Sequence, residues 1–481
     1  MSVFLILKWL AELIATTAEE GAVTETAGSH PRAGLFRVLI YGLVLASSAA
    51  QFAIVPVMPT YAHRLGLSGF QQGMVLGATG LATLAVCVPA GALSDRFGAR
   101  RLTLWAGLLM AIAIFAQSLA SNFPTLLGTR LVFGIGFGVV WTAGLSWIAG
   151  TVRAGSGLGG SVASAGVGGV VGPAASGALV QYFGLAIPLL ATAAAFAVIT
   201  IGLALLRMPA RPAAPTAPAA ASLRAATSDR NTICAAAAIL TAGVTTGVSA
   251  LLVPVQLRAA GASTGRIGLD FAIAGMLFAI GSALTAFVGR QTQRIPVICG
   301  GMFILAAALS PAALTTAPLA IVAMLCVTTA ARSVLWTVGY PLAAEGAQQS
   351  GAGLGVVVGL LNGIWAATAV LGPLVAGLAV EHLSTRTVFG LTEAACIAVL
   401  AAVVAVAWRT RQPAHCATDT QASPAAQPAA VNIPGDLMPV QRQVHGCGQA
   451  VGRDRTRLHQ GHGRDSREAK LRRVHERVRT E

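Results

Sequence analysis

Twelve continuously apolar runs, set apart by short polar stretches, make up most of the chain. They lie at about residues 35–57, 71–93, 102–120, 124–149, 157–180, 186–206, 232–255, 267–288, 296–316, 319–344, 352–378 and 386–408. A helix rises 1.5 Å per residue, so about 20 residues cross a ~30 Å hydrocarbon core. The runs do not alternate at period two, and they therefore predict membrane-spanning helices rather than barrel strands. Gly and Ala are frequent within them, as expected where helix backbones pack closely.

The polar stretches divide the chain further. Residues 1–33 precede the first clear span; Val3 to Ile14 is apolar but short and carries Lys8 and Glu12, so the segment reads as an extension outside the bundle. Residues 207–231 shift to Pro, Ala and Arg, the composition of a linker. They split the spans into a first bundle of six (34–206) and a second (232–408). From 409 to 481 the chain is polar and Arg-rich, cannot bury a core, and is expected to be a disordered basic tail.

Composition narrows the function. Charged residues are 10% of the chain and hydrophobic ones 55%, whereas soluble domains average about 25% charged. The net charge of +15 would suit nucleic acid, but its distribution argues for a bilayer instead. With the N-terminus in the cytosol, Arg32, Arg37, Arg96, Arg100, Arg101, Arg153, Arg207, Arg211, Arg224, Arg230, Arg290, Arg294, Arg409 and Arg411 fall inside. Arg64, Arg258, Arg266 and Arg386 fall outside. Fourteen against four is a positive-inside bias that places both termini in the cytosol. The seven cysteines form no CxxC pair, so neither a disulfide framework nor a metal site is expected. No nucleophile set, phosphate loop or cofactor motif stands in a context that would support an enzyme.

The halves repeat each other. Arg130 in the fourth span has a counterpart in Arg332 in the tenth. Gly172-Pro173 with Gly177 in the fifth recurs as Gly372-Pro373 with Gly377 in the eleventh, 200 positions on. The polar loop GALSDRFGARR from Gly91 recurs as GRQTQRIP from Gly289. Duplicated halves of this kind place a substrate site near the bilayer midplane, between the repeats.

That loop carries a family resemblance. Gly91, Leu93, Ser94, Asp95, Arg96, Gly98 and Arg100, with Arg101 behind them, resemble the loop between the second and third spans of major facilitator superfamily transporters. The resemblance covers about residues 34–410 and implies an all-α membrane protein: twelve helices in two pseudo-symmetric six-helix bundles. It implies that Asp95 and its Arg neighbours latch the halves in one state. Independently, Gly91 permits close approach and Gly98 a turn, and Asp95 can sit at a helix N-terminus. Arg130 opens RLVFGIGFG, similar to the family's fourth-span motif, which implies a part in proton coupling. Gly168, Gly172, Pro173 and Gly177 resemble the fifth-span motif of the antiporter branch, and Gly372, Pro373 and Gly377 repeat it. Small faces and a proline kink suit a rocking gate.

Candidate proton-coupling residues are Arg130, Arg332, Asp270 and Glu393, because ionisable groups within spans are costly and mark function. Asp270 also stands four residues from Arg266, the spacing of a surface ion pair. Glu345 reads as the end of a span and Glu381 as a loop. The first span has no acid; Gln51 is its central polar group. With Trp141, Trp336, Asn362 and Trp365 it outlines an uncharged cavity for an amphipathic organic solute. These features together imply a cell-membrane secondary carrier, expected to be a monomer without cofactor. They favour proton-coupled efflux of a drug-like or hydrophobic metabolite. Proton-coupled uptake of a small metabolite, and a non-transporting scaffold or receptor on the same fold, are the alternatives.

Overall fold

A computed structural model describes residues 31–151, 154–206, 219–288 and 294–409. Twelve of its helices are long and apolar enough to cross a membrane. The first half comprises α1 (Pro31–Leu65), α2 (Gly69–Phe97), α3 (Ala99–Ser118), α4 (Phe123–Val139), α5 (Leu145–Thr151), α6 (Ala154–Phe183) and α7 (Ala186–Leu206). One π turn, Val140–Gly144, joins α4 to α5 into a single span. After the short α8 (Ala219–Ser228) the second half comprises α9 (Arg230–Ala259), α10 (Thr264–Val288), α11 (Arg294–Ala307), α12 (Ser310–Leu314), α13 (Pro318–Ser350), α14 (Leu354–Ala379) and α15 (Thr385–Arg409).

Most helices outrun their apolar windows; α1 begins four residues before its window and ends eight after it. Hydropathy reports the hydrocarbon core alone, whereas a helix that satisfies its own backbone continues into the headgroup layer. The ninth span breaks instead: α11 stops at Ala307, and Pro311, which has no N–H to give, sits in the first turn of α12. Part of the stretch read as a linker is helical, since α8 lies within it and Asp229 caps α9 through the Thr232 N–H at 2.7 Å. Residues 1–30, Gly289 to Gln293 of the second polar loop, and the tail lie outside the described residues.

The packing repeats as the sequence does. In the first half α1 packs on α6, α2 on α4, and α3 on α4 and α7; in the second α9 packs on α14, α10 on α13, and α11 on α13 and α15. Two seams join the halves, α2 on α14 and α6 on α10, and they too are symmetry mates. One apolar core belongs to the first half alone. The other fills the second half and takes in Ile54, Met58, Tyr61, Leu67, Leu126, Val180 and Leu185, all toward the Ser68 end of the first half. The halves are thus welded at that face.

Candidate functional site

The seams show where the molecule is shut. Along α2, a β-carbon on Gly69 would fall 2.7 Å from the Gly377 carbonyl and one on Gly77 3.1 Å from the Val370 carbonyl. One on Gly73 would overlap the carbonyl of Pro373. Backbone therefore lies on backbone from Gly69 to Gly80 and from Ala366 to Gly377. In the sister seam a β-carbon on Gly177 would lie 2.8 Å from Gly268 Cα, and one on Gly268 2.5 Å from the Pro173 carbonyl. Further toward the Gly98 face the glycines of these stripes make no such contact. Continuing the same helical stripes, Gly91, Gly166, Gly355, Gly359 and Gly363 would each meet nothing within 4 Å. The halves are sealed at the Ser68 face, and at the Gly98 face these glycines stand clear of the opposite half.

The glycines of the fifth and eleventh spans divide between two jobs. Gly168 and Gly172 press α6 onto α1, where a β-carbon would overlap the carbonyls of Leu45 and Ala49; Gly372 lies against Gly247 of α9. Gly177, Gly377 and the two prolines' carbonyls form the seams between halves.

Asn362 lies on the stripe of α14 that touches α2, one turn past the last contact, and is exposed. Its Oδ1 accepts the Tyr340 hydroxyl proton at 2.7 Å. Tyr340 stacks on Trp336 at 5.6 Å and 23°, and Trp336 meets Trp365 edge-on at 6.4 Å. Trp365 packs against both cores. Three of the five cavity candidates thus converge, joined by Tyr340, whose signal was its place four residues after Trp336 on one helix face. Trp141 stands apart on Phe137, in the π turn, with its buried indole N–H unpartnered among the described residues. Such turns are frequent at functional sites.

Gln51 meets a buried charge. Arg130, on α4 and fully buried, donates from Nη2 to Gln51 Oε1 at 2.9 Å and lies over the Phe133 ring at 5.1 Å. Its Nε and Nη1 have no partner among the described residues. Arg332 on α13 is 7% exposed; its Nη1 donates to Thr246 Oγ1 of α9 at 2.9 Å and its Nη2 to Thr329 Oγ1. Each guanidinium therefore reaches from the fourth span of its half to the first. Neither meets a carboxylate among the described residues.

The acids fall elsewhere. Asp270 accepts from Arg266 Nε at 3.0 Å, so the four-residue pair forms, but not as a surface pair: the Asp270 side chain is 2% exposed against 63% for Arg266. It sits near Cys326 of α13, against which α10 packs. Glu393 accepts the Ser310 hydroxyl at 2.6 Å, across the junction of α12 and α15 and away from the seams. Glu345 pairs with Arg294 at 2.9 Å. Glu381 accepts the Phe70 N–H at 3.0 Å, from the opposite half.

In the motif loop, Gly98 closes α2 with φ +86°, a conformation that side chains resist, and donates to the Ser94 carbonyl at 2.9 Å. Leu93 and Arg101 are exposed, and Arg96 lies over the Phe97 ring at 5.3 Å. The side chain of Asp95 lies outside the described residues. Arg100 donates to the Ala204 carbonyl at 2.8 Å. That carbonyl is among the last four of α7, which have no partner within the helix. Arg100→Ala is expected to lower stability by about 1–2 kcal/mol, visible as an earlier thermal unfolding of the detergent-purified protein.

The chain matches the Major Facilitator Superfamily model over residues 40–362. It is 36% identical over 101 residues to the uncharacterized MFS-type transporter YuxJ of Bacillus subtilis (strain 168), covering 20% of this chain and 25% of that one. It is 28% identical over 87 residues to the quinolone resistance protein NorA of Staphylococcus aureus (strain Mu50 / ATCC 700699), covering 18% and 22%. The chain thus spans about a quarter of the length of these curated relatives. Its fold is similar to that of a bacterial homologue of the human lysosomal transporter Spinster, inward-facing and occupied. There the TM-score is 0.62 at 16% identity, over 79% of this chain and 96% of that one. It is also similar to the nucleoside transporter NupG in its D323A form, TM-score 0.62 at 14% identity, over 78% and 99%. Duplicated halves, paired seams and a match over most of the spans agree: this is a multi-pass membrane protein, and it belongs to the Major Facilitator Superfamily.

Proposed function

We propose that the protein is a monomeric cell-membrane exporter of drug-like or hydrophobic organic molecules, exchanging them for protons by alternating access. The observation that carries this reading is the pair of seams, sealed at one face, with the stripe glycines clear of the opposite half at the other. By the positive-inside bias the Gly98 face is cytosolic, so the state described is open inward. Rocking the halves about the midplane would part the seams and close Gly91 toward the other half, as inverted or repeated bundles do.

The lining favours an amphipathic solute. Trp336, Tyr340 and Trp365 offer aromatic faces, which receive flat apolar groups and cations. With its Oδ1 held by Tyr340, Asn362 leaves its amide N–H groups for an acceptor on the solute. Tyr340→Phe frees that amide and is expected to raise the half-saturating substrate concentration about two- to tenfold, read from concentration-dependent flux. Arg130 and Asp270 are the groups proposed to couple protons, since both are buried charges within spans. The partial likeness to NorA, named for quinolone resistance, supports the same class of solute.

Retention of a lipophilic fluorescent cation by whole cells tests the direction. Cells making the protein are expected to hold less than cells making Arg130→Leu, and a protonophore is expected to erase the difference. Accumulation above the control would replace export with uptake, and identical retention of every probe would favour a scaffold or receptor.

A further inference from the structure

The sealed face is held by more than glycine packing. Ser263, preceding α10, accepts the Arg266 N–H on its hydroxyl at 3.2 Å, and the Gly265 N–H goes instead to Gln181 Oε1 of α6 at 3.1 Å. Gln181 Oε1 also accepts the Ser263 hydroxyl at 3.1 Å. In the sister seam Ser68 caps α2, accepting the Gln71 N–H at 3.3 Å. The Phe70 N–H, likewise two residues after the capping serine, goes to Glu381 Oε1 at 3.0 Å. Gln181 and Glu381 are 200 positions apart, the offset that relates Gly172-Pro173 to Gly372-Pro373. Each closes the N-terminus of a helix in the opposite half. A serine cap leaves the second amide of a helix free, and that end of the dipole favours an acceptor, above all a negative one. Gly265 is part of the fit, because a β-carbon there would overlap Gln181 Oε1.

The two closures are symmetric in place and unlike in chemistry, one an amide and one a carboxylate. We propose that they form a paired latch between the halves, and that Glu381 is its proton-sensitive member: protonating this carboxylate releases the α2–α14 seam while the Gln181 closure stays indifferent to pH. This goes beyond the proposed export function and holds for either direction of transport.

The sign follows from what binds the carboxylate. The Phe70 N–H, then the Ser68 hydroxyl, hold the Glu381 carboxyl below its ordinary value, with the neighbouring His382 adding to the effect. α2 brings no charged side chain between Gly69 and Ser94. A carboxyl held low when latched stabilises the latched form above the ordinary value of 4.5 and loses that stabilisation as pH falls below it. Protons therefore favour the parted form of this face. Glutamine, like the protonated carboxyl, keeps a neutral acceptor oxygen but loses the charge and the titration; alanine loses the acceptor as well.

Spin labels carried on unnatural amino acids at Leu119 and Leu314, exposed helix ends of the two halves at this face, report its opening in lipid nanodiscs with every cysteine left in place. Near pH 7 the short distance should dominate; near pH 4 a longer one should gain roughly two- to fivefold in population, the scale of exposed charged contacts. Glu381→Gln should show, at both pH values, the longer-distance population that the wild type reaches near pH 4; Glu381→Ala should show at least as much at both, and Gln181→Ala should open partly yet keep the pH response. His382→Gln should also keep it. A wild-type pH response in Glu381→Gln, its loss in His382→Gln, or a Glu381→Gln or Glu381→Ala protein as closed as the wild type near pH 7 would overturn the proposal.

Discussion

Gly73→Leu, and separately Gly268→Leu, are expected to leave a folded protein that can no longer close its Ser68 face. Each leucine would have to occupy space now held by opposing backbone, the Pro373 carbonyl in one case and the Pro173 carbonyl in the other. A flexible side chain can move aside, but two helix backbones can only separate. Forcing extra carbons into packed interiors costs about 1–3 kcal/mol, and here the cost falls on one state alone. The population of the closed face is then expected to fall roughly 5- to 150-fold. Because the alternative state parts the same seam, the leucine is accommodated there and insertion proceeds. In the label pair at Leu119 and Leu314 the long distance would replace the short one, and flux would stop. Gly300→Leu, a site with nothing within 4 Å, is expected to leave the distances unchanged.

The second large effect concerns Arg130. Gln51→Leu would strip the fully buried guanidinium of its hydrogen-bond acceptor among the described residues. Leaving a buried charge uncompensated is expected to cost about 3–5 kcal/mol. Arg130→Leu removes the charge itself and should cost less, and the double variant Gln51→Leu with Arg130→Leu should regain most of the loss. The two substitutions should therefore be strongly non-additive. Transport should follow a different order, with proton-linked flux lost wherever Arg130 is missing, whatever the stability. Thermal unfolding and flux measured on the four proteins of the cycle separate the two effects; equal and additive losses would mean that Arg130 is merely a packing residue.

How much of this was legible in the sequence differs by feature. The twelve spans were plain because lipid imposes one rule on every residue that faces it. The duplication was visible in Gly172-Pro173 and Gly372-Pro373, whose chemistry is the same in both halves. It was invisible in Gln181 and Glu381, because symmetric positions at the ends of helices share a geometry and not a residue type. Glu381, read as a loop acid, is joined to Phe70 across more than three hundred residues, and no local pattern announces such a bond. Asp270 shows the complementary case. Its spacing from Arg266 foretold the pair, while its burial depends on which side of α10 meets α13, which a uniformly apolar helix does not disclose. Gln51 was read as the central polar group of the first span, while its bond to Arg130 is a contact fixed only once α1 and α4 are side by side. The π turn that carries Trp141 has no sequence signal in Val140 to Gly144.

The central claim is that movement of solute through the protein is tied to movement of protons. Purified protein in liposomes with an imposed pH gradient tests it directly, with lipophilic cations and planar aromatic compounds added in turn and the gradient followed by an internal dye. The account predicts that at least one compound dissipates the gradient in step with its own movement, and that Arg130→Leu abolishes both. Solute crossing at an undiminished rate with no proton movement, in wild type and variant alike, would contradict it.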